Sequence, residues 1–556
     1  MFRSTVITSR FYSQVSHITT PIYYPNAKPH LGHLYSSLMS DVFHRWQLLQ
    51  GNESLFTTGT DEHGLKIQLA SHKNGYKTPK EFVDRLYEDF IQVDKAFGIQ
   101  YTRFIRTTDP DHTENVSKLW KLCHENGYIY KGEHKGWYSV SDETFYPESK
   151  VIKDSSSPGK YLNTETNNEV VYHSENNYFF RLSQFRNKLI TYIKEHPSFI
   201  YPETKKTQIL NELQNNPLQD LSISRPEFRL KWGISVPGDE SQKIYVWFDA
   251  LCNYLTSIGG VDAILDNKSN AKLLHKTSEI QMPREWWVNT THVIGKDIIK
   301  FHTIYWPSFL MAAGLPLPRQ VVVHSHWICN GTKMSKSLGN VVDPLLMRNC
   351  YGSDAVRWFL LENSQLEEDG DFQEDKLFHL TELFASKWGN LINRCCGSKF
   401  NLHRAVQFYA AEKNPLKIHS NDTLQKDMDS LLGELEKFPD FMSEKIANFQ
   451  IASALRQAWS IINEANAFMQ NSKPWTRQKT EQDAIIYTCM EASRILAITC
   501  QPVIPELANK FLDRIDVMKK NRSASFAKVN MDSNYGIGSN NKGRKVPIQR
   551  VSKRHT

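Results

Sequence analysis

Paired cysteines are missing from this chain. Its eight cysteines are scattered over 556 residues apart from the neighbours Cys395 and Cys396, and none forms a C-x-x-C pair. That excludes a disulfide framework and a cysteine zinc knuckle. Long apolar runs are missing too: none approaches the roughly 20 residues a membrane-spanning helix needs, so no membrane partner is expected. Acidic residues are absent from Met1 to Ser40, where Arg3, Arg10 and Lys28 stand. Residues 1–16 mix arginine, serine and threonine with Phe2, Val6, Ile7, Phe11 and Tyr12. This is the composition of a mitochondrial transit peptide and predicts residence in the mitochondrial matrix. What is present is a 40% hydrophobic, 12% aromatic chain, able to fill cores and long enough for several domains.

Ser16 to Tyr24, with Ile18, Ile22 and β-branched threonines, reads as a strand ending in a Pro25-Asn26 turn. From Leu31 the residues Leu34, Tyr35, Leu38, Val42, Phe43, Trp46 and Leu49 recur at helical spacing until Gly51. Glu53 to Thr60 reads as a second strand, so the unit is a right-handed parallel crossover. His30-Leu31-Gly32-His33 then falls at the helix start, where unpaired N–H groups and the dipole favour anions. Two imidazoles there can donate to a phosphate oxygen, and Gly32 lets a flat base approach the backbone. The turn carries no G-x-G-x-x-G, so a dinucleotide site loses its main support. Asp61 ends the second strand, at the edge where open parallel sheets bind ligands. A carboxylate there suits a substrate ammonium or, equally, a helix cap.

From about Gly127 to Gly238 the pattern breaks into short aromatic-rich segments, with Asn163 to Asn177 a polar loop or hairpin arm. A smaller domain inserted into the nucleotide fold accounts for it. Lys243 to Ala250 and Trp286 to Asp297 read as strands, Phe301 to Trp306 as a helix, and Gln320 to Ile328 as a last β-rich run. That run delivers a loop, Asn330 to Asn340, in which Lys333-Met334-Ser335-Lys336-Ser337 lies between Gly331 and Gly339. Two cations and two hydroxyls on such a loop can close on a polyphosphate. After Asp343-Pro344, Tyr351 to Phe359 reads as a connector. From Leu377 onward, long helical patterns predict a bundle in which Asn390 and Arg394 share a helix face and Lys473-Pro474-Trp475 begins a loop. The end is basic, with Asp532 the only acid beyond Asp516. It predicts disorder, as a phosphate-contacting arm or a solubilising tail.

His30-Leu31-Gly32-His33 and Lys333-Met334-Ser335-Lys336-Ser337, in that order and on matching local structure, resemble the signature pair of class I aminoacyl-tRNA synthetases. From about His17 to Leu512 the chain is similar to methionyl-tRNA synthetases of mitochondrial type. The resemblance implies an α/β fold: a Rossmann-like parallel-sheet catalytic domain split by an inserted connective domain, then an α-helical anticodon-binding bundle. Its parts would be 17–126 and 241–340 for the catalytic halves, 127–240 for the insertion, 341–376 for a connector, 377–518 for the bundle and 519–556 for the tail.

The implied substrates are methionine, ATP with Mg²⁺ and tRNA, handled by a monomer with no obligate protein partner. His30, Gly32, His33, Gly295 and Asp297 would hold ATP, with Lys333 and Lys336 on the leaving pyrophosphate. His30, His33, Lys333 and Lys336 would be the catalytic groups, and Lys336 the one with the largest single effect. Ile22, Tyr24, Asp61, Trp247, Ala250, Tyr254, Ile298 and His302 would line the methionine pocket; Ile22 stands where leucine is usual, and Leu251 where some relatives have proline. Asn390, Arg394 and Trp475 match the anticodon readers. Trp137 to Thr144 has no cysteines where a relative might carry metal ligands, so no structural zinc is expected. An insertion of roughly 110 residues is too small for the editing domain that small aliphatic substrates require, since a missing methylene gives only about 1–3 kcal/mol of discrimination. Two alternatives remain open from sequence: a cysteinyl or other aliphatic-amino-acid synthetase, and a tRNA-binding protein that has kept the fold without the chemistry.

Overall fold

A computed structural model describes residues 15–142, 144–154, 157, 159–266, 271–272, 279–280, 282–334, 339–411, 422–540 and 548. Its centre is a sheet of six parallel strands: β1 (Val15–Thr19), β2 (Glu53–Thr60), β3 (Arg103–Arg106), β4 (Ile200–Tyr201), β5 (Thr290–Gly295) and β6 (Gln320–His324). Their spatial order is β3-β2-β1-β5-β6-β4. The chain steps outward in one direction from β1 and in the other from β5. The carboxyl ends of these two neighbours therefore flank the switch-point crevice where such sheets bind ligands.

The middle of the sheet is polar. His17 lies 2.9 Å from Thr290 Oγ1 and 3.0 Å from Thr57 Oγ1, so one ring spans three strands. Thr19 meets His292 Nδ1 at 2.8 Å, and Thr20 meets Thr58 at 2.6 Å. Each of these side chains thereby has at least one partner, which lowers the penalty of burying it, while His292 Nε2 has none among the described residues. Burial drives the His17 pKa down to about 3.

Several elements differ from the expectation. β1 stops at Thr19 because Pro21 has no N–H to give the ladder, and only Tyr23 returns, as a single parallel bridge to Thr60. Lys243 to Ala250 divides into a strand, Asp239–Ile244, and a helix, Val246–Leu251. Trp286 to Asp297 likewise divides into the helix Pro283–Val288 and β5. Short runs of buried aromatic and β-branched residues fit either state, and periodicity cannot separate them.

The insertion is built on Ile129–Ser139 paired antiparallel with Glu169–Phe180. It is not a closed unit from 127 to 240, because β4 lies within those limits and pairs with β6. In its hairpin arm, Asp142 accepts from Asn163 Nδ2 at 3.0 Å, Thr166 Oγ1 at 2.7 Å and Asn168 Nδ2 at 2.7 Å. Such a polar knot cross-links the hairpin. Among the described residues, no group of three or more His, Cys, Asp or Glu is arranged to hold a metal, and no helix is long and apolar enough to cross a membrane.

The helices Asp422–Ala447, Ile451–Ser472 and Lys479–Thr499 form the bundle, and one apolar core runs from the helix Leu31–Leu49 into it. The basic end corrects the expectation of disorder, since residues 519–540 fold onto the bundle. Buried Arg494 is paired with Glu491 at 2.6 Å and donates to Lys528 O at 2.6 Å, while Tyr535 donates to Glu491 at 2.9 Å. Charge counting along the tail could not register Glu491, which lies on another helix. Residues 541–547 and 549–556 lie outside the described set, as do residues 1–14 of the expected transit peptide; Val15 and Ser16 belong to β1.

Asp94, on the helix Pro79–Ala96, is buried, and that burial together with the Asp41 charge raises its carboxyl to about 8. Between the unfolded value of about 3.9 and this folded value, the native chain holds a proton that the unfolded chain has lost. Asp94 therefore makes stability fall as pH rises from about 4 to about 8. Asp94→Asn is expected to raise the urea midpoint more at pH 8 than at pH 5, and equal shifts at both would refute this.

Candidate active site

The helix Leu31–Leu49 starts with histidines as its own caps. Gly32 N–H donates to His30 Nδ1 at 3.0 Å, and His30 N–H donates to His33 Nδ1 at 3.2 Å, a reciprocal capping box made of two imidazoles. Each Nδ1 is an acceptor, so in the neutral ring the proton sits on Nε2, and both rings keep one N–H donor. The rings stack 4.0 Å apart, and burial together with the His30 ring holds the His33 pKa well below its ordinary value. Gly32 has a reason beyond base approach: a Cβ there would come within 2.9 Å of His30 Cε1, so the cap needs glycine. Tyr23 secures the turn, with its hydroxyl 3.0 Å from His33 O and 3.1 Å from Ser37 Oγ.

The expected methionine pocket gathers from four segments. Tyr24 donates to His63 O at 3.0 Å, and Asp61, 3% exposed, is anchored by its N–H to Tyr23 O at 2.9 Å. Trp247 stacks on Phe301 at 3.7 Å and 9° and meets His302 edge-on at 6.5 Å. His302 Nδ1 donates to Ile298 O at 3.0 Å, which leaves Nε2 to accept the Tyr254 hydroxyl at 2.7 Å. Burial lowers the His302 pKa to about 4, so the ring is neutral and its tautomer is fixed. Ala250 and Tyr254 are buried, while Ile22, Tyr24, Trp247 and Ile298 are half-buried. A π-helical turn, Phe301–Tyr305, carries both His302 and Phe301. Phe301 was missed from sequence, although its place before His302 was a usable signal.

Across the crevice, Gly295 ends β5 and Asp297 follows in a short turn. Asp297 Oδ2 pairs with His326 Nε2 at 3.1 Å, and that bond, aided by the Lys333 and Lys296 charges, holds the Asp297 carboxyl low. The ribose-turn candidate and the lysine loop are thus neighbours. Lys333 lies on a strand, Thr332–Lys333, paired with Trp327–Cys329, which pairs in turn with Gly370–Phe372 of the connector. Trp327–Cys329 is a strand, as the reading of a last β-rich run expects, but it leaves the main sheet. Asp369 binds both Lys296 Nζ at 2.6 Å and His326 N–H at 2.9 Å, and Asp371 accepts Gly331 N–H at 3.0 Å. The acidic run Glu367-Glu368-Asp369-Gly370-Asp371 was the overlooked signal. Ser36 joins the two sides, with its hydroxyl 2.8 Å from His324 Nε2 at the end of β6. Lys336 lies outside the described residues, as do Ser335 and Ser337.

Far along the chain, Arg394 donates to Gln470 Oε1 at 3.1 Å and lies 5.8 Å from the Trp475 ring, which is 43% exposed. Asn390 is exposed one turn before it. The bundle thus brings these three expected residues to one end.

A parallel sheet whose switch-point crevice has a histidine-capped helix start on one side and Lys333 on the other is the arrangement expected of class I aminoacyl-tRNA synthetases. The family model described as tRNA synthetases class I (M) matches residues 16–396, and the anticodon binding domain of methionyl tRNA ligase matches residues 417–537. The mitochondrial methionine–tRNA ligase of Saccharomyces cerevisiae is 62% identical, over 98% of this chain and 97% of its own. That of Homo sapiens is 40% identical, over 91% of this chain and 85% of its own. A Mycobacterium tuberculosis methionyl-tRNA synthetase in complex with methionyl-adenylate superimposes with a TM-score of 0.80 at 33% identity, covering 93% of this chain and 96% of that one. The chain belongs to the methionyl-tRNA synthetase family.

Proposed function

We propose that the chain activates methionine with ATP to methionyl-adenylate and then transfers methionine to its tRNA, for protein synthesis in mitochondria. The mitochondrial naming of its relatives carries the location. The observation that best supports the chemistry is the imidazole capping box facing a crevice whose other bank holds Asp297 and Lys333.

In the first step the methionine carboxylate, already a nucleophile, attacks the α-phosphorus, and pyrophosphate leaves with the electron pair. No general base is needed. Charge grows on phosphoryl oxygens, and two Nε2–H donors and two lysines would stabilise it in a site whose backbone is fixed in advance. Mg²⁺ enters as part of the ATP substrate. Asp61 would hold the methionine ammonium, and Asp297 the ribose. Tyr24, Trp247 and Tyr254 would wall the thioether, which gains about 0.3–1.5 kcal/mol against an aromatic edge. In the second step a hydroxyl of the terminal tRNA ribose attacks the adenylate carbonyl and AMP departs.

Exchange of labelled pyrophosphate into ATP is the test. It should depend on methionine alone among amino acids; exchange driven by cysteine, or by none, would overturn the proposal. At the bundle end, Trp475 would stack on an unstacked anticodon base, a contact worth about 1–3 kcal/mol. Trp475→Ala is therefore expected to raise KM for tRNA by about 5- to 150-fold and leave pyrophosphate exchange unchanged. A loss of exchange would instead assign Trp475 a structural role.

A further inference from the structure

Asp249 is 1% exposed and stands between Trp247 and Ala250, yet no step above uses it. Its Oδ2 accepts from His63 Nδ1 at 2.7 Å and its Oδ1 from His112 Nε2 at 2.7 Å. Burial pushes this carboxyl up, but the two imidazoles prevail and hold it below the usual carboxylate range. The three residues come from separate parts of the chain: the loop after β2, the helix Pro110–Glu125 and the helix Val246–Leu251 that follows the insertion.

What these parts carry gives the cluster its meaning. His63 lies two residues after Asp61, and its carbonyl accepts the Tyr24 hydroxyl. His112 Nδ1 lies 3.3 Å from Thr256 Oγ1, on the turn that bears Tyr254. Tyr24, Asp61, Trp247 and Ala250 are therefore each within two residues of a member of this cluster or bonded to one, and Tyr254 lies two residues before Thr256, which His112 meets. A single carboxylate ties together the two lips of the pocket that the chain contributes before and after its insertion.

We infer that Asp249 is a positioning residue for methionine: through His63 and His112 it sets the spacing between the Tyr24–Asp61 lip and the Trp247–Tyr254 lip. The inference rests on the assignment of that pocket to methionine. A carboxylate can accept from both imidazoles, whereas an asparagine offers one acceptor and turns an NH₂ toward the other donor. The lips would then be held from one side only, and small displacements of positioning groups are costly, about 100-fold for 1 Å.

The test measures pyrophosphate exchange by the full chain. Asp249→Asn is expected to raise KM for methionine by about 10- to 100-fold while KM for ATP stays within about twofold. Selectivity against ethionine, one methylene longer and rejected by about 10- to 200-fold in a fitted pocket, should fall. A merely structural role would lower kcat and leave that selectivity intact, which would overturn the inference. Should Asp249→Asn fail to fold, His112→Ala serves in its place. It is expected to raise KM for methionine, and His112→Gln, whose amide N–H takes the place of Nε2–H, should restore most of the loss; no rescue would refute the clamp. Asp61→Ala separates the two levels. If it raises KM for methionine while the Asp249 and His112 variants do not, the clamp falls and the pocket stands. If it leaves that KM unchanged, the pocket assignment itself falls, and the clamp with it.

Discussion

Lys336→Ala is expected to slow adenylate formation by about 100- to 1000-fold, the usual loss, about 2.7–4 kcal/mol, when one preorganised donor to a transition-state oxyanion is removed. Binding of methionine should hardly change, because the proposed methionine site is built from other residues, Asp61, Trp247 and Tyr254 among them. The same split is expected from the other bank. His30→Asn keeps a good N-cap for the Gly32 N–H but removes the Nε2–H donor, so it should lower kcat for pyrophosphate exchange by a similar factor while the urea midpoint stays put. His30→Ala should lose both rate and stability, the latter by about 0.5–2 kcal/mol. Single-turnover kinetics and methionine titration read the two quantities separately. If methionine binding collapsed in Lys336→Ala while the chemical step survived, the assignment of the loop to pyrophosphate would be wrong.

Arg357→Ala is expected to cost about 3–5 kcal/mol of stability, the penalty for breaking a fully buried ion pair, here together with the bonds to three buried carbonyls. Arg357 is 0% exposed and joins three regions of the molecule. Its guanidinium donates to Asp41 Oδ2 at 2.6 Å on the helix Leu31–Leu49, to Phe97 O at 3.0 Å, and to Val503 O and Pro502 O at 2.7 Å in the turn after the helix Lys479–Thr499. Asp41 also holds Arg45 Nε and Gln100 N–H, each at 2.8 Å, so removing Arg357 leaves the carboxylate with less than its full set of partners. Urea unfolding followed by a double-mutant cycle with Asp41→Asn is the measurement. The pair should be strongly less than additive, and additive losses would show that Arg357 acts through packing alone.

The legible part of this fold was the part with long, regular periodicity. The helix Leu31–Leu49 and the strand Glu53–Thr60 fell where hydrophobic spacing put them, because nineteen and eight residues are enough for one period to dominate. The short apolar runs around Trp247 and Trp286 were misread as strands, since buried faces on both sides erase the alternation that distinguishes strand from helix. The basic tail misled for a related reason. Composition describes a segment against water, whereas Arg494, Glu491 and Tyr535 show this one folded against a buried charge.

By itself, the sequence determined the class of chemistry. A histidine pair at a helix start and a lysine loop far downstream are local features whose meaning depends on residue type and order, and both could be read without knowing what they touch. Only the tertiary structure decided how those features are held. It fixed the imidazole tautomers by making His30 and His33 cap their own helix, set Asp297 beside His326 and Lys333, brought Asp369 and Asp371 under the loop from the connector, and joined His63, His112 and Asp249 from three distant segments. Apart from the imidazole cap, whose bonds span two or three residues, each of these is a pairing between residues far apart in the chain, and a hydrogen bond across such distance is specified by the packing of whole elements, not by the few residues on either side of it.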